Sequence, residues 1–190
     1  MRKTTAILAG MAVLLSLAAC GKPAAPETLT FLGVAGLWFT EEMPEGGGSA
    51  LDPDTLRIGL TYDGKQIFTL LRVPMPEDVQ ADEVAEAWLY LKILDTNGTC
   101  GPRVALLEEP WTRGITCEAA KALGFSWYPA STALTPDGWL QLGVKDYVKA
   151  CLNGAENHGL AIFEGNQSTE TLFGTGGQDA PRLELLVEKR

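Results

Sequence analysis

From Thr28 onward, apolar side chains recur mostly at every second position, in short runs broken by Gly, Pro, Asn and Asp. Successive side chains on a strand point to opposite faces, so this period builds half-buried strands. No amphipathic run reaches helix length cleanly. Residues 28–34, 55–61, 66–73, 84–94, 103–108, 139–144, 159–163, 170–173 and 182–188 read as strands. So many short strands at this spacing predict an all-β domain, a sandwich or a barrel. Tyr62-Asp63-Gly64-Lys65 reads as a hairpin turn, because Asp-Gly supplies the positive φ a tight turn needs. Long loops are expected over 41–54, with the flexible run Gly46-Gly47-Gly48-Ser49, and over 112–137. At most one short helix is expected, near Asp146–Leu152, with Asp146 placed to cap it.

Among 190 residues, 46% are hydrophobic, with five Trp, six Phe and four Tyr, which is enough to pack a core in one domain. The 15 basic residues are scattered singly among 24 acidic ones, for a net charge of −9. Phosphate backbones require clustered Lys and Arg, so nucleic acid is not an expected partner.

Groups for catalysis are few. The one histidine, His158, lies in Asn157-His158-Gly159, a turn signal at a strand start, and reads as a solvent-facing turn residue rather than a general base. Cys100, Cys117 and Cys151 have no CxxC spacing and no second histidine to complete a zinc site. Neither GxSxG nor a P-loop is present. Glu108 and Glu109 are adjacent on a strand and face opposite ways, so they cannot flank one glycosidic bond. No enzyme activity and no cofactor are expected. Asp52-Pro53-Asp54 and Asp95-Thr96-Asn97 offer oxygens to a structural calcium, but fewer than a dedicated loop does, and Asx turns account for them equally.

Ligand recognition is the stronger expectation. In 84–94, Ala87, Leu89, Leu91 and Ile93 share one face while Trp88, Tyr90 and Lys92 share the other. With the first set in the core, the second is a stripe on the outside of a sheet, where aromatic faces stack on sugar C–H groups and an amine meets hydroxyls. The alternative is a neighbouring strand or loop covering these rings. Trp127 and Tyr128, in the second long loop, form another ligand-binding candidate, unless 125–129 plugs one end of the sandwich.

The amino terminus has its own logic. Arg2 and Lys3 precede an apolar run over 6–17 and then small residues, the three-part layout of an export signal. The run is shorter than the roughly 20 residues a membrane-spanning helix takes. Leu17-Ala18-Ala19-Cys20-Gly21 resembles the lipobox of bacterial lipoproteins. That resemblance implies cleavage before Cys20 and acylation of its thiol; an incidental Cys after an ordinary signal is the alternative. Several acyl chains exceed the two-signal threshold for stable anchoring, so membrane is an expected partner. Gly21, rather than Asp, resembles the signal for outer-membrane sorting. Residues 1–19 would be leader, 20–27 a lipidated Cys with a Pro-containing tether, and 28–190 the folded domain.

Seven segments of that domain, in order, resemble the DNRLRE domain family, jelly-roll modules of bacterial and archaeal surface proteins related to carbohydrate-binding modules. They are Leu56-Arg57-Ile58-Gly59 with Phe68 to Pro74, Val84 to Leu91, Val104 to Trp111 with Ile115-Thr116, Trp139 to Val144, Val148 to Gly154, Asn157 to Ile162, and Pro181 to Leu185. The resemblance implies a jelly-roll β-sandwich of two antiparallel sheets that binds carbohydrate at the outer membrane or cell surface without catalysis. A structural or adhesion module meeting another envelope protein is the alternative. Two Trp positions of the family pattern hold Cys117 and Cys151 here. As neighbours in the family core they would oxidise to a disulfide in an exported protein, leaving Cys100 single. A Cys100–Cys117 pairing would have to reach around 103–108, about 20 Å of strand.

Overall fold

In the computed structural model, residues 25–40, 55–165 and 170–189 are described. The leader, Cys20, Gly21, the Gly-rich loop and Asp52-Pro53-Asp54 lie outside the described residues. In chain order the strands are β1 (Glu27–Phe31), β2 (Ala35–Thr40), β3 (Thr55–Leu60), β4 (Gln66–Arg72), β5 (Val84–Thr96), β6 (Pro102–Leu107), β7 (Phe125–Tyr128), β8 (Thr132–Leu134), β9 (Trp139–Gly143), β10 (Leu160–Glu164), β11 (Thr171–Gly174) and β12 (Arg182–Val187). Two helices join them, α1 (Cys117–Ala122) and α2 (Lys145–Leu152). The fold is all-β and every strand pairing is antiparallel.

One layer has the order β1-β12-β5-β9-β8 and the other β2-β4-β10-β6-β7, with β3 paired to β4. β11 pairs with β5 on one side and β3 on the other, carrying the ladder from layer to layer. The main core lies between the layers. Ala87, Leu89 and Leu91 of β5, Leu183 and Leu185 of β12, and Leu140 and Leu142 of β9 meet Leu71, Val104, Leu160 and Ile162 from the other side. The period-two pattern of β5 thus does what alternation requires, with one face in the core and the other outside.

The second layer is covered on both faces. Phe68 and Leu70 of β4, Ala105 and Leu107 of β6 and Ala161 of β10 point away from the main core, into a second cluster with Leu37, Phe39, Trp111, Cys117, Ala120 and Leu123. Strands buried on both faces read as continuous apolar runs rather than alternating ones. This is why β2, with the sequence AGLWFT, was not legible as a strand. β7 and β8 are also additions; they lie inside the stretch expected to be one long loop, and neither exceeds four residues.

α1 corrects the expectation of at most one helix. The Thr116 side chain accepts a hydrogen bond from the Ala119 backbone N–H at 3.2 Å, with Glu118 in the first turn and Lys121 in the last. Six residues are too few to display a helical period, so only the cap announces it. α2 starts one residue earlier than expected, with Val144 rather than Asp146 at its N-cap and no side-chain cap there. Its Tyr147 and Val148 enter the main core.

The expected Cys117–Cys151 disulfide is overturned. No disulfide joins Cys100, Cys117 or Cys151. Cys117 packs in the second cluster and its thiol donates to the Thr40 carbonyl at 3.2 Å, while Cys151 packs against the main core. The second layer stands between those two clusters, so the thiols face different cores.

Two glycines are required by the geometry. Gly64, at φ +84°, closes the β3–β4 hairpin, with its N–H donating to the Thr61 carbonyl at 2.9 Å. Gly159, at φ +102°, packs where a Cβ would stand 2.3 Å from the Leu71 carbonyl oxygen.

Candidate functional site

β4, β10, β6 and β7 lie side by side, and their register gathers a patch of rings beyond the edge of α1. Phe163 pairs with Phe68 on one side and with Arg103 on the other, and Trp127 pairs with Ala105 of the next strand. Phe163 stacks on Phe68 with centroids 5.4 Å apart, and Phe68 stacks in turn on Phe39. Phe125 and Trp127 each stand edge-on to Phe163 at 5.5 Å. Phe68, Phe125, Trp127 and Phe163 floor and wall an open groove of about 480 Å³, completed by Gln66, Arg103, Lys121 and Glu164. That volume is in the range of small-molecule sites.

Charge in the groove is mixed. The Arg103 guanidinium lies 4.0 Å over the Trp127 ring. Stacking engages the guanidinium face and leaves its N–H edge to reach a ligand. Among the described residues no carboxylate forms an ion pair with Arg103. Glu164 is 8% exposed and accepts the Gly101 N–H at 2.9 Å, so this carboxylate is part of the wall. Trp127 is 56% exposed, and with its edge on Phe163 it presents a fixed ring to the solvent side of the groove.

Trp127 and Tyr128 were expected together on a loop, but they occupy a strand and point to opposite faces. Tyr128 packs against the main core. Desolvation raises its pKa above the ordinary value.

The Trp88, Tyr90 and Lys92 stripe lies on the outer face of the first layer, each side chain half-buried. Tyr90 meets Trp139 edge-on at 6.4 Å, and Arg182 covers both rings, at 4.7 Å and 4.0 Å. The Lys92 amine donates to the Asp137 carbonyl. Burial, together with the Glu184 carboxylate, raises the Tyr90 pKa. Two of the three stripe groups are therefore already engaged by neighbouring strands and loops, on a flat surface rather than in a groove.

A smaller cleft of about 220 Å³ lies between β6, β7 and α2, lined by Tyr147, Cys151, Glu156 and His158 among others. His158 does not face solvent as expected: its side chain is 16% exposed, and Nε2 lies 3.0 Å from Glu156 Oε2. Burial raises the Cys151 thiol, the reverse of what a nucleophilic thiolate needs. Tyr147 donates to the Asn157 side-chain oxygen Oδ1, and Asn157 Nδ2 donates to the Val73 carbonyl at 2.8 Å, tying α2 to the end of β4. At the calcium candidate, Asp95 accepts from the adjacent Thr96 N–H and Asn97 accepts from the Glu170 N–H just before β11, a cross-strand contact, so neither bond has the spacing of the expected Asx turn. Among the described residues no group of three or more His, Cys, Asp or Glu is placed to hold a metal ion.

Sequence reasoning found Trp127 but missed Phe68, Phe163, Phe125, Arg103, Lys121, Gln66 and Glu164. Strand pairing gathers all of these but Lys121, which α1 brings to the rim, and no local pattern carries either. The chain matches no family model and no curated protein.

Proposed function

We propose that this chain is a non-catalytic, carbohydrate-binding module of the bacterial envelope, exported and anchored at the outer membrane or cell surface by acylation of Cys20. The observation that carries the reading is the groove, where an exposed Trp127 ring is fixed between Arg103 and Phe163 over a phenylalanine floor. Fixed aromatic rings bind the C–H faces of sugars at low entropic cost, and Gln66, Lys121 and the Arg103 edge supply donors for hydroxyls. Among the described residues, no Ser, Cys or His lines the groove. The DNRLRE resemblance, with its jelly-roll topology, supports the same reading through the order of its motifs.

The test is a glycan array probed with the wild-type chain, Trp127→Ala and Trp88→Ala. Binding that is lost with Trp127→Ala and kept with Trp88→Ala supports the groove. Binding lost only with Trp88→Ala moves the site to the stripe. No binding to any glycan removes the reading in favour of an adhesion module.

A further inference from the structure

The outer face of the β1-β12-β5-β9-β8 layer has an uneven distribution of charge along its strands. On β5, Glu86, Trp88, Tyr90 and Lys92 share this face, with Glu86, exposed, at one end and Lys92, half-buried and donating to the Asp137 carbonyl, at the other. On β12, Glu184 lies opposite Trp88 and Arg182 opposite Tyr90, so the neighbouring strand repeats the same polarity. Arg182 and Glu184 are bonded to each other at 2.8 Å, and the rings between the two charged ends remain only half-buried. Asp137, on the rim near Lys92, is engaged with the Thr135 hydroxyl.

We propose that this face docks a second copy of the chain, stacked antiparallel about a two-fold axis that lies between the two faces and crosses the strands at Leu89. Lys92 and Glu86 are equally distant from Leu89, so the axis sets Lys92 over the partner's Glu86. It also sets Arg182 over the partner's Glu184, and Trp88 over the partner's Tyr90. Such an isologous interface makes every contact twice. The other face-to-face arrangement, with the axis along the strands, sets Lys92 over the partner's Lys92 and is repulsive. Charge therefore selects one orientation, as sheet faces about 10 Å apart require of long side chains. The inference is independent of the glycan groove, which lies on the other layer.

The experiment is sedimentation of the full-length chain over a range of concentrations, as wild type, Glu86→Lys, Lys92→Glu, and an equal mixture of the two variants. Wild type is expected to dimerise, and each variant alone to associate at least about tenfold more weakly, because like charges meet twice. The mixture is expected to recover the dimer, since both contacts then pair opposite charges. A wild type that stays monomeric overturns the proposal. So does a single variant that associates like wild type, or a mixture that associates no better than its components.

Discussion

Tryptophan and arginine are paired to an unusual degree in this protein. Arg57 lies over Trp38, Arg72 over Trp111, Arg103 over Trp127 and Arg182 over Trp139, at 4.0 to 5.0 Å. Strong cation–π pairs occur about once in 70–80 residues, so this density fixes most of the indoles in place. Of these four, only Trp127 is largely exposed, which makes it the one ring both held and available. Among the described residues the cysteines act differently, Cys117 as a buried small hydrophobe and Cys100 and Cys151 half-buried. A peptide map prepared without reductant is expected to contain no Cys117–Cys151 cross-link; finding one would contradict the separation of the two clusters. Burial pushes the Cys100 thiol up to about 11 from its ordinary value of 9.0, and also raises Cys151 and Tyr147. The folded state then holds protons that the unfolded state gives up, so this contribution is full below about pH 9 and is lost as pH rises toward about 11. Urea midpoints should be lower at about pH 10.5 than at about pH 8, and Cys100→Ala should narrow the gap. An unchanged midpoint would contradict the burial of these groups.

At the scale of elements, the helix α1 and its cap hold the second cluster over β4, β6 and β10. Thr116→Ala removes the side-chain acceptor for Ala119 and should cost about 1 kcal/mol, read as a lowered denaturation midpoint. Thr116→Ser should restore it, and an unaffected midpoint would mean that the cap carries no stability. All nine segments read from the sequence form strands: β4, β6 and β10 are covered on both faces and are bounded by turn residues, while β5, β9 and β12 alternate because only one face is in the core, which leaves a period. β2 lost that mark by being buried on both sides, and α1 was too short to have one. The groove was hidden for a different reason. Phe68, Arg103, Trp127 and Phe163 come from four strands whose spatial order, β4-β10-β6-β7, departs from chain order. Only Trp127 stands out locally, as a ring in a stretch without a strand period, and Tyr128 beside it turns to the opposite face of β7.

For the whole molecule, the two layers divide the work. The first presents a flat face with opposite charges at its ends, and the second carries the aromatic groove, while both share one core. A net charge of −9 disfavours polyanions at long range, yet Arg103 and Lys121 make the groove locally basic at short range. Sugar binding at this groove is tested by a glycan titration followed through the indole N–H resonances of the five tryptophans. The Trp127 signal is expected to shift with bound glycan while the Trp88 signal stays in place. A shift at Trp88 with Trp127 unmoved, or no shift at any indole, would contradict it.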